Sequence, residues 1–305
     1  MKRITNKLFI SILTVAFAVI ALGSTTFAWF TLNNVATISN FNASITAGEG
    51  IEMSLDGSTW TTLLTQTDME NHIYMNKYPN FKFSAVTSAD GFTSFQKINP
   101  VNTAYIGASA TSETGGAGAD YLTLKIYFRS VAGTVGINWT GATLTSVSSD
   151  WTPDASFTNS TGTAIAPSGD PLAYTPISIN GADAARISID GDVDVIYEPT
   201  PTVTGKLGLE GDLSTGEPSN GAVSYFQAKN QTVSPFGATT VTIANALDLS
   251  TVQAANSATV LASVDASGTD FLMIRIWIEG WDPDCFNAIL NRQLTIGLVF
   301  TKVTV

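Results

Sequence analysis

The chain has 305 residues, with 14 Lys and Arg against 25 Asp and Glu, and its formal net charge is −11 at pH 7. A surface that acidic repels phosphate backbones, which argues against a nucleic-acid partner. Cys285 is the only cysteine, so no internal disulfide can form. We therefore expect sheet packing to stabilise the fold, with the thiol acting as a small, partly buried hydrophobe.

The first 28 residues have the three-part layout of a secretory signal peptide. Lys2, Arg3 and Lys7 make a basic start, and an apolar run follows at residues 8–22. A short stretch rich in small and polar residues, 23–26, then leads to the small residue Ala28. The layout predicts export across a membrane.

The expected cleavage site lies between Ala28 and Trp29. Cleavage by a signal peptidase removes three basic and no acidic residues, so the net charge of the mature chain is 11 − 25 = −14. We expect the mature chain to be secreted to the cell surface or extracellular matrix, with no membrane segment left. The alternative is an uncleaved anchor helix, because residues 8–30 reach the roughly 20 residues that span a bilayer.

Period-two alternation of apolar and polar residues dominates the rest of the chain and predicts β-strands. It is clearest at residues 121–129, 272–279 and 293–301. The residues expected to face the core are Leu122, Leu124, Ile126, Phe128, Leu272, Ile274, Ile276, Ile278, Leu294, Ile296, Leu298 and Phe300. Weaker strand candidates are residues 35–46, 51–55, 81–86, 134–140, 185–189, 193–197, 222–227 and 239–243. We expect the opposite face of each strand, which includes Trp277 and Glu279, to lie in water.

The segments between the strands are rich in Gly, Ser, Thr, Asn and Pro, and the longest are 107–120, 150–171 and 199–221. A helical turn is predicted at 283–291 and a short helix within 248–264. The pattern predicts an all-β fold, one antiparallel β-sandwich of jelly-roll type over residues 48–305, with long decorating loops and one or two short helices. A split into two sandwiches around residues 150–180 is the alternative.

The motifs of common enzyme classes are missing. His72 is the only histidine, so a zinc-peptidase motif cannot be assembled in the usual way. A Ser-His-Asp triad would have to use His72, whose polar surroundings instead indicate an exposed loop histidine. The sequence has no Gly-x-Ser-x-Gly elbow and no phosphate-binding loop. A pair of carboxylates for glycoside hydrolysis is still compatible with the sequence, because such a pair is formed by the fold and has no sequence motif. We expect a protein that is not an enzyme and that needs no cofactor.

One acidic cluster has the spacing of a calcium loop. Asp190, Asp192 and Asp194 alternate with other residues, but Ile196 stands where such a loop needs glycine and Pro201 where it needs glutamate. A solvated turn between two strands is one interpretation, and a weak calcium site is the other.

Several blocks resemble the TasA-like and camelysin-like secreted proteins of Gram-positive bacteria. They are an aromatic start after the leader, a strand rich in Asn and Ser, and an aromatic C-terminal pair of strands, at residues 28–31, 35–46, 127–130, 274–285 and 294–301. The resemblance implies a jelly-roll subunit of an extracellular biofilm-matrix fibre, matured by a dedicated ER-type signal peptidase. Some camelysin-like relatives have been labelled metalloproteases, and the missing histidine pair argues against that activity here.

The mature N-terminus suggests how such a fibre would form. Cleavage would free Trp29, Phe30 and Leu32 at the start of the strand segment 29–47. A neighbouring copy with an open groove could accept this donor strand, and such head-to-tail contacts propagate into a homopolymer. The alternative is that these side chains pack on their own domain.

Two rival functions stay open. One is a monomeric cell-surface binding or adhesion module that recognises glycans through Trp60, Trp151 and Trp281. The other is a hydrolase whose site carries no recognisable motif.

Overall fold

The computed structural model describes residues 38–45, 50–72, 83–88, 90–93, 95–98, 106–109, 120–131, 133–167, 174–199, 221–229, 256–265, 268–280, 282–289 and 292–304. The predicted leader 1–28, the predicted assembly residues Trp29, Phe30 and Leu32, and the strand predicted at 239–243 lie outside these ranges.

The described residues are mostly β-strands. The strands are β1 (Ile38–Ile45), β2 (Ile51–Ser54), β3 (Leu63–Leu64), β4 (Ala85–Thr87), β5 (Gln96–Ile98), β6 (Ile106–Ser109), β7 (Leu122–Ser130), β8 (Val135–Ser146), β9 (Ser149–Trp151), β10 (Phe157–Thr158), β11 (Ala164–Ile165), β12 (Ile177–Ile179), β13 (Ala185–Asp190), β14 (Val195–Tyr197), β15 (Asn256–Val264), β16 (Thr269–Glu279) and β17 (Leu294–Val303). The helices are α1 (Gln66–Glu70), α2 (Gly221–Lys229) and a 3-10 helix at Asn287–Ile289.

Two large sheets form the fold. The first sheet has the order β15-β8-β17-β1-β3, and the second has the order β14-β13-β16-β4-β5-β6, with β7 also paired to β16 and β2 paired to β7. Most pairs are antiparallel, whereas β1–β17 and β16–β4 are parallel. The predicted all-β sandwich class is confirmed. The jelly-roll type and the boundaries of a single domain stay predictions.

The inner faces of both sheets form one hydrophobic core. The twelve core residues predicted on β7, β16 and β17 are all buried, with at most 1% of each exposed. Phe128 of the second sheet and Phe300 of the first meet edge to face across the core, with ring centroids 5.3 Å apart. Burying one such side chain stabilises the fold by about 1.5–3 kcal/mol, so this alternation largely decides how the sheets face each other.

The outer face of β16 corrects one expectation. Trp277 is fully buried and Glu279 is 1% exposed, although both were expected in water. A second, smaller core made of Val86, Phe95, Ile196 and Trp277 covers this part of the sheet. Alternation shows which residues share a face, but it cannot show what else packs on that face.

One local prediction was wrong, and a second does not hold over the part of its range that the structure describes. Residues 222–227 were predicted as a strand and belong to helix α2, and the described part of 248–264 is strand β15 rather than a short helix. Tertiary contacts explain both: the Ala222 N–H of α2 donates to the Pro283 carbonyl at 2.7 Å, and β15 pairs with β8. The helical turn predicted at 283–291 is present as the short 3-10 helix.

Candidate functional site

The N-terminal strand β1 has an unusual place in the first sheet. It lies between β17, to which it is parallel, and β3, to which it is antiparallel. Its partners on β17 run from Ile38 opposite Leu294 to Ile45 opposite Phe300, whereas only two residues pair with β3. The first described strand is therefore paired chiefly with the last strand of the chain, and no hairpin joins the two.

The chain changes sheets directly after β1. β1 ends at Ile45 in the first sheet, and β2 begins at Ile51 in the second. Gly50, directly before β2, has φ +76°, which glycine adopts without steric cost. The strand and the rest of the sandwich are thus joined by a short segment that contains two glycines, Gly48 and Gly50.

The acidic cluster forms the exposed turn between β13 and β14. Asp190 Oδ2 accepts a hydrogen bond from Arg275 Nη1 at 3.1 Å, while the Asp192 N–H donates to the Leu261 carbonyl at 2.7 Å. Asp194 is exposed. In the described part of the chain, no group of three or more His, Cys, Asp or Glu side chains is placed to hold a metal ion. The structure confirms that residues 190–194 lie at a turn between two strands. Calcium binding there stays a prediction.

A buried ionic cluster lies beside the second core, and the sequence analysis did not find it. Arg186 Nε lies 3.3 Å from Glu198 Oε2, and Arg186 Nη1 lies 3.2 Å from Glu279 Oε2. Trp277 Nε1 donates to the same Glu279 oxygen at 3.2 Å. All three charged side chains are at most 1% exposed. One signal could have pointed to this cluster: an arginine within the apolar strand β13.

Two turns of one sequence pattern pack on the outer face of the second sheet. The pattern Ser-x-Asp-Gly-x-Thr occurs at 54–59 and 88–93. In each turn the aspartate accepts two backbone N–H groups and the threonine hydroxyl, and the glycine has a positive φ. Burial raises the pKa of Asp90, but hydrogen bonds from Thr93, Phe92 and Ser88 bring it down to about 2.

The glycines of these turns bring the backbone close to aromatic rings. A Cβ added to Gly57 would lie 3.7 Å from the Tyr127 ring, and one added to Gly91 would lie 2.9 Å from Ile196 Cδ1 and 3.3 Å from the Trp277 ring. The Gly91 carbonyl also accepts from Ser188 Oγ at 2.6 Å. The second turn therefore closes the smaller core over Trp277, while the first leaves the neighbouring part of the face exposed.

The exposed part of this outer face carries aromatic rings and cations. Lys125 Nζ lies 3.6 Å above the centroid of the Phe271 ring and 4.7 Å from that of Tyr127. The Arg129 guanidinium lies 4.5 Å from the centroid of Trp60, and its Nη2 is 2.5 Å from Glu52 Oε2. Phe271 is 41% exposed, and its ring lies beside that of Tyr127 and the Lys125 ammonium rather than alone.

Of the three tryptophans proposed for glycan binding, the two that the structure describes lie in different surroundings. Trp60 belongs to the outer face just described. Trp151 packs against Phe286 at 5.0 Å and against Tyr225 at 5.0 Å, so its ring is largely part of the core around α2. Burial raises the pKa of Tyr225, whose hydroxyl also donates to Asp154 Oδ1 at 2.5 Å. Trp281 lies outside the described residues.

The single thiol is unsuited to intermolecular pairing in the folded state. Cys285 is 7% exposed, and burial, with a further contribution from Asp282, raises its pKa well above the ordinary value. A buried, protonated thiol is a poor nucleophile. The expectation that Cys285 is a small buried hydrophobe is confirmed.

Comparison of the chain with protein-family models, with characterised proteins and with solved structures gives no match. Among the residues that the structure describes, no helix is both long enough and apolar enough to cross a membrane. The resemblance to TasA-like and camelysin-like proteins therefore stays a prediction.

Proposed function

We propose that this protein is an exported structural subunit, not an enzyme, that polymerises head to tail into extracellular or cell-surface filaments of the biofilm-matrix type. The observation that carries the proposal is the position of β1. It is inserted between β17 and β3, and its main partner is the far end of the chain. Main-chain hydrogen bonds do not depend on whether the two strands belong to one molecule, so β1 of a neighbouring copy can take the same place.

The connection after β1 is compatible with such an exchange. Moving β1 to a neighbour requires only that the segment between Ile45 and Ile51 change direction, because β2 stays paired with β7. Gly48 and Gly50 lower the steric cost of that change. Exchange of an identical element preserves every native contact except those of the hinge, which makes it a low-cost route to assembly.

The polarity of the exchange favours a fibre over a closed dimer. Each copy would donate its N-terminal strand and accept one beside β17, and a head-to-tail contact whose rotation does not close propagates as a filament. Signal peptidase cleavage before Trp29 would release the donor and so act as the trigger. The resemblance to TasA-like and camelysin-like proteins supports the same secreted, self-associating role, with other copies of the chain as partners and no membrane segment after cleavage.

The first test compares two N-termini. A chain that starts at Trp29 and one that starts at Asn34, which lacks Trp29, Phe30 and Leu32, are concentrated and viewed by negative-stain electron microscopy. We expect filaments from the first and monomers from the second, because the second keeps β1 but lacks the three large apolar side chains that would anchor the donor strand in a neighbouring copy. Monomers from both would contradict spontaneous assembly.

The second test locates the contact by cross-linking. Ser44 and Val299 are paired across β1 and β17, at a separation that a disulfide can bridge. Ser44→Cys and Val299→Cys are placed on separate chains, each with Cys285→Ala, and the chains are mixed and oxidised. Exchange predicts a covalent dimer of the two different chains. Lys302→Cys replaces Val299→Cys as the control, because it lies three residues out of register and should not cross-link.

The cross-linking test also has a contrary outcome. If one chain carrying both cysteines closes on itself while the mixed single variants stay unlinked, β1 belongs permanently to its own domain. A monomeric surface-binding module would then be the better function, and the exposed aromatic and cationic face described above is the observation that favours it.

A further inference from the structure

The exposed half of the outer face of the second sheet forms one continuous stripe, which we name the aromatic–cation stripe. It comprises Trp60, Lys125, Tyr127, Arg129 and Phe271. Phe271 pairs directly with Tyr127 across β16 and β7, and Lys125 and Arg129 are the next outward residues on either side of Tyr127 along β7. Register therefore places four of the five residues on one face, because residues two apart in a strand share a face. Trp60 comes from the loop between β2 and β3 and joins the stripe through its contact with Arg129.

Rings and cations alternate along the stripe. Lys125 lies over Phe271, the Tyr127 and Phe271 rings have centroids 6.0 Å apart, and Arg129 lies over Trp60. Lys125 and Arg129 are four residues apart on one strand, which separates their backbones by about 13 Å. Two positive charges thus flank a pair of aromatic rings.

The stripe stands out against the charge of the whole protein, whose formal net charge is −11. Arg129 is paired with Glu52, and nearby Arg275 is paired with Asp190. Among the residues that the structure describes, no carboxylate forms an ion pair with Lys125. In an acidic protein, a cation held over an exposed ring offers charge complementarity to an anionic partner.

The fold covers only part of the stripe. Further along β16, the same outer face is covered by the smaller core around Trp277. The stripe lies beyond that cover and leaves Phe271 41% exposed. Around Tyr127 and Arg129, β7 is paired with β16 on one edge and with β2 on the other, so an extended peptide cannot add there as a further strand.

We propose that the aromatic–cation stripe binds an acidic polysaccharide, a polymer of sugar rings that carry carboxylates. The C–H groups of a pyranose ring would contact the parts of the Phe271 and Tyr127 rings that stay exposed beside the Lys125 ammonium, because the face of an aromatic ring is negative. Carboxylates on successive sugars would accept charge-assisted hydrogen bonds from Lys125 and from Nη1 of Arg129, whose Nε and Nη2 contact Glu52. The site does not depend on strand exchange and would serve a monomer or a fibre.

Isothermal titration calorimetry of the purified protein with oligogalacturonate tests the site. Two probes separate its parts: methyl-esterified oligogalacturonate keeps the sugar rings and loses the charge, and poly-L-glutamate keeps the charge and has no rings. We expect saturable binding of oligogalacturonate that weakens with added salt, and at least tenfold weaker binding of both other probes.

Three variants locate the binding. Lys125→Gln is expected to weaken oligogalacturonate binding about tenfold, the effect of one charge-assisted hydrogen bond. Phe271→Leu is expected to weaken oligogalacturonate binding by a similar factor. Phe271→Tyr keeps an aromatic ring and should keep the affinity, so it controls for a loss of binding caused by misfolding at this position. Lys302→Gln removes one positive charge from the other sheet and should change nothing.

Three results would overturn the proposal. They are the absence of saturable binding, equal weakening by Lys302→Gln and Lys125→Gln, and poly-L-glutamate binding as tightly as oligogalacturonate. The last result would point to an acidic protein as the partner instead.

Discussion

Replacing Arg186 with methionine removes the cation that, among the described residues, pairs with both carboxylates of the buried cluster beside the smaller core. Arg186 contacts both Glu198 and Glu279, and all three side chains are at most 1% exposed. Methionine fills a similar volume but leaves two carboxylates buried without this guanidinium. The side chain lies on the central strand pair β13–β16, so the outer face cannot relax without disturbing the sheet.

The expected magnitude is large. Removing one partner of a buried ion pair costs about 3–5 kcal/mol, because the remaining charge stays desolvated. Here one guanidinium serves two carboxylates, so we expect a loss near the upper end, about 5 kcal/mol. Domains of this kind are stable by about 5–15 kcal/mol, and Arg186→Met should leave the protein marginally folded.

Urea unfolding followed by tryptophan fluorescence measures the loss, in a chain that starts at Asn34 so that polymerisation does not interfere. Arg275→Met is the matched control: Arg275 pairs with Asp190, whose side chain is 43% exposed, and such pairs contribute at most about 1 kcal/mol. Adding Glu198→Gln and Glu279→Gln to Arg186→Met should recover part of the stability. If Arg186→Met and Arg275→Met differ by less than about 1 kcal/mol at equal urea dependence, the reasoning is refuted.

Two further predictions concern the Ser-x-Asp-Gly turns. Gly91→Ala should cost at least about 1 kcal/mol more than Gly133→Ala in urea unfolding, because both glycines have positive φ but only Gly91 has a neighbour, Ile196, 2.9 Å from the added carbon; equal losses would mean that the contact relaxes freely. Asp90 has a folded pKa of about 2, below its ordinary 3.8, so its contribution is complete above pH 3.8 and lost as the pH falls toward 2. The difference in unfolding free energy between the wild type and Asp90→Asn should therefore shrink by about 1 kcal/mol between pH 3.8 and pH 2, a value that allows for screening by solvent. A difference that stays constant over this range would show that the hydrogen bonds to Asp90 do not depend on its charge.

Much of the strand content could be predicted, because inward residues repeat with period two. The predictions at 121–129, 272–279 and 293–301 correspond to β7, β16 and β17 with the expected inward faces. Local sequence patterns predicted the wrong secondary structure where a tertiary contact determines it. Residues 222–227 alternate weakly, yet they form a helix because Tyr225 packs among Trp151, Phe157 and Phe286.

The candidate sites were less accessible to sequence reading. The acidic turn at 190–194 was identified from spacing, since all of its residues are close in the chain. The aromatic–cation stripe and the Arg186 cluster combine residues from segments that lie far apart. Lys125 and Phe271 are separated by almost half of the chain and meet only through the register of β7 and β16. Trp60 was singled out as an exposed aromatic residue, but its partner Arg129 was not.

The sequence by itself determined the acidity, the absence of an internal disulfide, the β-rich class and the inward face of the main strands. These properties depend on composition or on neighbours within a few residues. Only the tertiary structure decided that β1 lies beside β17 and that the outer face of β16 is half covered and half exposed. Strand pairing and the covering of a sheet face are contacts between segments that lie far apart in the chain. Their free energy depends on which surfaces meet, and a local sequence pattern does not contain that information.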